Sequence, residues 1–254
     1  ENGMSNGIKL TPIESPERLS APVYEALKRQ ILALDIYDPA SELRMDERGL
    51  ADQLGISRTP LREAIMRLEQ EGFVEILPRR GVFIRRKSLD EILEMLELWG
   101  ALEGTAARIA CTRAADAEIA GLRRLAGDAS HDPHEYSEAN IAFHRTVLTL
   151  SGNRLMIETG EKLLEHLAVV RRRAMADPAR AERSVSDHAG IVAAIEGRHA
   201  DLAARRVEAH TARLHAYLRR SWRYLIGEEA ASPPTTNQYD SKGETHGARI
   251  ADRA

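Results

Sequence analysis

A chain of 254 residues with 43% hydrophobic and 30% charged residues has the length for two ordinary domains and enough apolar material to pack both. With a formal net charge of −3, no apolar run near the ~18 residues of a membrane span, and no basic-then-apolar start, it lacks membrane and secretory signals. Its one cysteine, Cys111, excludes an internal disulfide and fits a reducing, cytoplasmic compartment.

Residues 1–17 and 228–254 are poor in apolar side chains and rich in polar and turn-forming residues, so both are expected to be disordered. Between them, residues 18–87 and 88–227 differ in pattern and are read as two domains. A first helix, about Ala21 to Leu34, buries Val23, Leu27 and Ile31.

Two short amphipathic helices follow. Leu50, Ala51 and Leu54 line one face of the first, and Leu61, Ile65 and Leu68 line one face of the second. Between them Gly55 can adopt the left-handed conformation that stops a helix, Ser57 or Thr59 can cap the next one, and Pro60 is tolerated in its first turn. This is a helix-turn-helix. Arg58 and Arg62 are four apart at the start of the second helix, where side chains reach base edges and phosphates. Phe73–Leu77 and Val82–Ile84 then read as strands around Pro78-Arg79-Arg80-Gly81, a hairpin wing. Residues 57–87 hold eight Arg plus Lys against four Glu, a local +4 within a chain of −3. Positive charge is therefore concentrated where a phosphate-facing surface needs it.

The run Glu47-Arg48-x-Leu50-Ala51-x-x-Leu54-Gly55-Ile56-Ser57-Arg58-Thr59-Pro60-Leu61-Arg62-Glu63-Ala64, followed by Leu68-Glu69-x-Glu71-Gly72, resembles the GntR family of bacterial transcription regulators. The resemblance implies DNA contacts from Arg48, Ser57, Arg58, Thr59, Arg62, Arg80 and Gly81. It also implies a homodimer bound to a near-palindromic double-stranded operator. Arg67, Arg85 and Arg86, taken singly, read as solvated charge.

From Ser88 onward helical periodicity takes over. Six helices are expected, at about Leu89–Thr112, Asp116–Gly127, Pro133–Leu150, Arg154–Ala174, Pro178–Glu196 and His199–Ile226. Such short connections favour an antiparallel bundle. The fold class is thus mainly α, a winged helix-turn-helix followed by a six-helix bundle.

Three histidines interrupt apolar stripes: His144 between Ile141 and Leu148, His188 between Val185 and Val192, and His210 between Val207 and Leu214. Inward imidazoles need partners. Asn140 lies four residues before His144 and shares its face. Taken singly, each histidine reads as a hydrogen-bonded core residue. Together with Asn140 they suit a divalent transition metal, zinc or nickel, with coordination positions left for water or a ligand.

This half resembles the FCD ligand-sensing domain of the FadR-type branch, in its VanR-like six-helix form, through Asn140-x-x-Phe143-His144, Ser151-Gly-Asn153, Ser186-x-His188 and His210. The resemblance implies a metal held by Asn140, His144, His188 and His210, with a small-molecule effector beside it. Asn140 stands where an aspartate is common, which should weaken the site. Trp99 stands, four residues before Glu103, where relatives often carry an effector-facing arginine. Trp99 is read either as a core or dimer-contact aromatic or as the apolar wall of a reshaped effector pocket bordered by Glu103. A carboxylate effector is correspondingly weakened as an expectation. Arg171-Arg172-Arg173 reads first as a solvated helix end favoured by the dipole, with facing the effector as the lesser alternative.

These readings combine into a transcription regulator, expected to repress, controlled by a small metabolite. The alternative is a metal-dependent hydrolase using the histidine cluster. No His-Glu-x-x-His pairing, nucleophile elbow or phosphate-cradling glycine loop supports it.

Overall fold

The structure, a computed structural model, describes residues 19–126 and 133–228, which fall into two compact units. The first comprises the described residues up to Ile36 and Ser41–Arg85; the second comprises Tyr37–Ala40 and Arg86 onward. The terminal segments expected to be disordered, apart from Glu228, lie outside the described residues, as does the expected helix end at Gly127.

In the first unit, α1 (Ser20–Ala33) lays Val23, Tyr24, Leu27 and Ile31 against Leu61, Ala64, Ile65 and Leu68 of α3 (Arg58–Gln70). Burying these branched and aromatic side chains, at roughly 1.5–3 kcal/mol each, is the main driving force for the unit. Helix α2 (Glu47–Leu54) is capped by Asp46, whose side chain accepts from the Arg48 N–H. It ends at Gly55, at φ 63°, the left-handed conformation expected there. Ser57 occupies the N-cap position of α3 but makes no side-chain capping bond, and Leu54, expected on the apolar face, is exposed.

Strands β2 (Val74–Leu77) and β3 (Gly81–Ile84) form the antiparallel hairpin, in the register Leu77 opposite Gly81 and Val74 opposite Ile84. The Arg80 N–H donates to the Leu77 carbonyl, with Arg79 left-handed at φ 63°. A third strand, β1 (Arg44–Met45), pairs with the other edge of β3 and was not expected. Two residues are too few for alternation to register.

The second unit contains α4 (Leu89–Arg113), α5 (Asp116–Ala126), α6 (Pro133–Leu150), α7 (Arg154–Met175), α8 (Pro178–Glu196) and α9 (Ala200–Leu225). Each described boundary lies within a residue or two of expectation because the stop and start signals are strong. Ser88 and Glu91 form a reciprocal capping box on α4, Asn153 caps α7, and Asp177 with Pro178 opens α8. Helix α4 packs on α6, α7, α8 and most extensively on α9. The α4–α9 approach is close at Gly100 and Gly104, where a Cβ would lie 3.3 Å from Thr211 and Glu208 respectively. Cys111 is buried beside Ala110 and Ala114 in this core. Tyr37 joins the unit through its hydroxyl, which donates to the Lys87 carbonyl, and through an edge-on contact with Trp222.

Candidate nucleic-acid interface and metal centre

On the first unit, Arg48, Ser57, Arg58, Thr59, Arg62 and Arg80 are all solvent-exposed, and Gly81 is partly so. Helix α3 buries Leu61, Ala64, Ile65 and Leu68, which leaves Arg58 and Arg62 on its open side. A concavity of about 630 Å³ joins Arg48 from α2, Arg58 and Arg62 from α3, and Gly81 from the wing. Glu42, Asp46 and Glu47 also line it, and the Arg62 Nε donates to Glu47 Oε2 at 3.1 Å. Such an exposed pair is weak and can exchange its carboxylate for a phosphate. Arg44, on the unexpected β1, lines the same concavity and was missed because nothing in the sequence marks that strand. Ser57 and Thr59 flank Arg58 at the start of α3, and Arg80 sits at the hairpin tip with its guanidinium 6.0 Å from the Phe83 ring. Arg67, by contrast, lies over the Tyr24 ring and donates to Glu71, a structural role.

In the second unit the three histidines come together. The ring centroids of His144 on α6, His188 on α8 and His210 on α9 are 4.8–5.3 Å apart, and all three are buried. Their candidate ligand nitrogens lie within 4.8 Å of one another. Zinc with Zn–N of ~2.1 Å holds two ligands no more than about 4.2 Å apart, so loading the site asks for a small side-chain adjustment.

The surroundings fit a metal in two respects. First, His144 Nδ1 contacts Glu103 Oε1 at 2.6 Å and His210 Nδ1 contacts Asp187 Oδ2 at 3.1 Å. With each Nδ1–H donating to its carboxylate, Nε2 carries the lone pair, the arrangement that orients metal-ligating imidazoles. Second, His188 Nε2, His210 Nε2 and Asn140 Oδ1 are buried without a hydrogen-bond partner among the described residues, while the Asn140 amide donates to Ser184 Oγ at 3.1 Å. Burial drives the His144 and His188 pKa values well below normal and takes His210 down to about 3, against the pull of Asp187. All three are neutral near pH 7, as ligation requires.

Trp99 and Glu103 are both fully buried on α4 and bonded to each other, the indole N–H donating to Glu103 Oε2 at 2.7 Å. Both oxygens of Glu103 are therefore engaged, one by Trp99 and one by His144. Burial lifts this carboxyl to about 7 although Arg171, His210 and Trp99 all pull it down.

The expectation for Arg171 needs correction. Instead of ending a helix in solvent it is 2% exposed, its guanidinium 5.3 Å from the Trp99 ring and its Nη1 donating to His144 Nε2 at 2.9 Å. A metal on His144 requires this guanidinium to turn aside. Apolar neighbours at Leu167 and Ala174, one turn before and after it, are the signal that could have identified Arg171 as inward. Arg180 and Asp187, also missed, precede His188 on α8, and Arg180, Ser184 and His188 follow each other at four-residue steps. Asp187 is tied bidentately to Arg213, at 2.8 and 2.7 Å, and its pKa falls to about 2 because the bonds from His210 and Arg213 outweigh burial.

Comparison with known proteins matches residues 19–84 to the bacterial regulatory proteins of the gntR family and residues 94–213 to the FCD domain. A regulator from Agrobacterium vitis, described as an uncharacterised HTH-type transcriptional regulator in the TAR-I ttuE-ttuC' intergenic region, is 36% identical over 144 residues, covering 54% of this chain and 82% of that protein. The chain belongs to the GntR family. The Nta operon transcriptional regulator of Aminobacter aminovorans is 38% identical over 132 residues, half of this chain, and the match spans 63% of that relative's length. Two solved structures share the fold of this GntR protein. They are E. coli McbR/YncC, with a TM-score of 0.62 and 20% identity over 80% of this chain and 98% of that one, and a GntR regulator from Rhodococcus sp. RHA1, with 0.63 and 20% over 83% and 98%. The family and these relatives are transcriptional regulators, not enzymes, so the hydrolase alternative falls. No helix among the described residues is long and apolar enough to cross a membrane.

Proposed function

We propose that this GntR protein is a cytoplasmic, metabolite-responsive repressor, acting as a homodimer whose two winged heads read the half-sites of a near-palindromic operator. Arg58 and Arg62 reach base edges or phosphates in the major groove, Arg48, Ser57 and Thr59 fix the register on the backbone, and Arg80 with Gly81 brings the wing to the adjacent groove. The observation that carries this reading is the single concavity that gathers the helix-turn-helix arginines and the wing glycine on one exposed face.

In the helical unit, Asn140, His144, His188 and His210 hold a divalent transition metal, zinc or nickel, and a small carboxylate effector binds beside it. The metal supplies a Lewis-acidic anchor for a ligand oxygen. Glu103 and Asp187 keep two of the imidazoles in the ligating tautomer, and Trp99 forms the apolar wall. Regulation requires only that the effector bind the DNA-competent and DNA-incompetent arrangements with different affinity.

The test is selection of binding sites from random duplex DNA, followed by titration of the enriched site at two salt concentrations. A near-palindromic site with steep salt dependence is expected. Absence of any enriched sequence overturns the reading.

A further inference from the structure

The three imidazoles of the histidine centre are not equivalent. His188 and His210 present Nε2 atoms with no hydrogen-bond partner among the described residues, whereas His144 Nε2 accepts from Arg171 Nη1 at 2.9 Å. His144 Nδ1 lies on Glu103, so the ring hydrogen is on that side and the Nε2 lone pair is the one offered for ligation. A guanidinium N–H and a metal ion cannot share one lone pair. Arg171 therefore stands where an ion would meet His144, as a cation carried by α7.

Its surroundings make the contest between the two cations a close one. Burial brings the Arg171 pKa down only to about 10, so the side chain remains charged near pH 7. The Trp99 ring, fixed by its own bond to Glu103, lies 5.3 Å from the guanidinium and adds a cation–π contact to the bond with His144. Asn140, His144, His188 and His210 are all neutral, so that set of donors brings no charge to offset the repulsion between a divalent ion and the guanidinium. Against this, Arg171 holds the centre by a single hydrogen bond, and its Nε has no partner among the described residues. The arginine is seated, but not locked.

We propose that Arg171 is an internal competitor for the metal: an ion enters the histidine centre by displacing the guanidinium from His144 Nε2, which makes the metal an exchangeable ligand whose occupancy follows its free concentration. This rests on the reading of His144, His188 and His210 as metal ligands. A guanidinium that holds His144 about nine-tenths of the time lowers the apparent metal affinity about tenfold, because only the remaining molecules are competent to bind. Displacement also gives the Arg171 side chain two discrete placements, one for each occupant of His144. An element with two placements is what a signal can bias, so the free metal ion is itself a signal this unit can read.

The experiment titrates the full, metal-stripped chain with zinc against a competing chelator, in the wild type, in Arg171→Met and in Arg171→Lys. Arg171→Met, which keeps the length and loses the charge, should bind zinc at least tenfold more tightly than the wild type, and Arg171→Lys should fall between them. A second measurement needs no change at Arg171 and carries the test if the Met variant does not fold. In Trp222→Phe, Trp99 is the one tryptophan left, and zinc should shift its emission as the guanidinium leaves its ring. The same shift should be absent when Arg171→Met is added. Equal or weaker zinc binding by Arg171→Met, or a Trp99 emission that does not move at zinc saturation, overturns the proposal. Failure of the metal reading looks different: if wild type and both variants all bind no zinc, the histidines are not ligands and the competitor falls with them, whereas equal binding by all three keeps the metal and removes only the competitor.

Discussion

The two units place their arginines in opposite environments. In the head, Arg48, Arg58 and Arg62 stand in solvent around an open concavity, and the pairing of Arg62 with Glu47 is at the surface. In the helical unit, Arg171 and Arg180 are buried with neutral histidines, and Arg180 has no hydrogen-bond partner among the described residues. An exposed arginine costs the free protein almost nothing and gains its energy from the polyanion that arrives. A buried, unsatisfied arginine costs stability, because its desolvation is not offset by hydrogen bonds. Removing one of these exposed arginines should therefore leave the stability of the head unchanged, whereas removing a buried one should alter that of the helical unit.

The strongest test of this contrast removes packing instead of charge. Phe143 is fully buried and stacks on His188 at 3.9 Å, nearly parallel. Phe143→Ala should cost about 3–5 kcal/mol of stability. Both tryptophans, Trp99 and Trp222, lie in the helical unit, so denaturation followed by their fluorescence reports this loss directly. Metal binding should fall with it, because His188 loses the ring that fixes its plane. A variant of unchanged stability would mean the histidine centre is not held by the core.

Next in size is Arg58→Ala, and separately Arg62→Ala, each expected to weaken specific operator binding by about 1–3 kcal/mol if the side chain reads a base. Melting temperature should not move. Uniform weakening across operator and random DNA would assign the residue to phosphate instead, and unchanged affinity for both variants would remove α3 from the interface. Glu103→Gln comes third. It keeps the shape but weakens the acceptor of the His144 Nδ1–H, and loss of such a supporting partner typically costs about 10–100-fold in metal affinity. Metal titration against a competing chelator measures it; unaltered affinity would show that Glu103 does not orient the imidazole.

How far each unit could be read from the sequence follows the same division. The head is legible because a left-handed Gly55, a proline in the first turn of α3 and paired arginines are local signals, each tied to its neighbours by a few residues. What escaped was β1, whose existence depends on pairing with β3 some forty residues later. The described ends of the six later helices were equally legible, since Ser88, Asn153 and Asp177 cap them locally. The histidines emerged because an imidazole interrupts an apolar stripe visibly. Arg171 did not, since it sits in a run of three arginines near a helix end, and only its place on the stripe of Leu167 and Ala174 marks it, among the three, as the one that turns inward against Trp99. Arg180 was hidden for a related reason: near the start of α8, beside two further charged residues, it resembles solvated charge until Ser184 and His188 are seen to continue its face.

The smallest expected effect concerns the head's own stability and sharpens the contrast from the exposed side. Glu71 is partly buried, which raises its pKa, but hydrogen bonds from the Tyr24 hydroxyl and Lys28, together with Arg67, outweigh burial and leave it lowered. A carboxyl whose folded pKa lies below its unfolded value of ~4.3 stabilises the fold above that value and ceases to do so as pH falls through the folded one. Wild-type head stability should therefore decline on acidification more than that of Glu71→Gln, which has no proton to gain. Because the head contains no tryptophan, amide hydrogen exchange of α3 is the suitable probe, and comparing the two proteins at the same pH cancels the intrinsic rate. The difference between them should shrink from about pH 7 to about pH 3. A difference independent of pH would mean that Glu71 acts through packing and hydrogen-bond geometry, with its charge contributing nothing to the junction of α1 and α3.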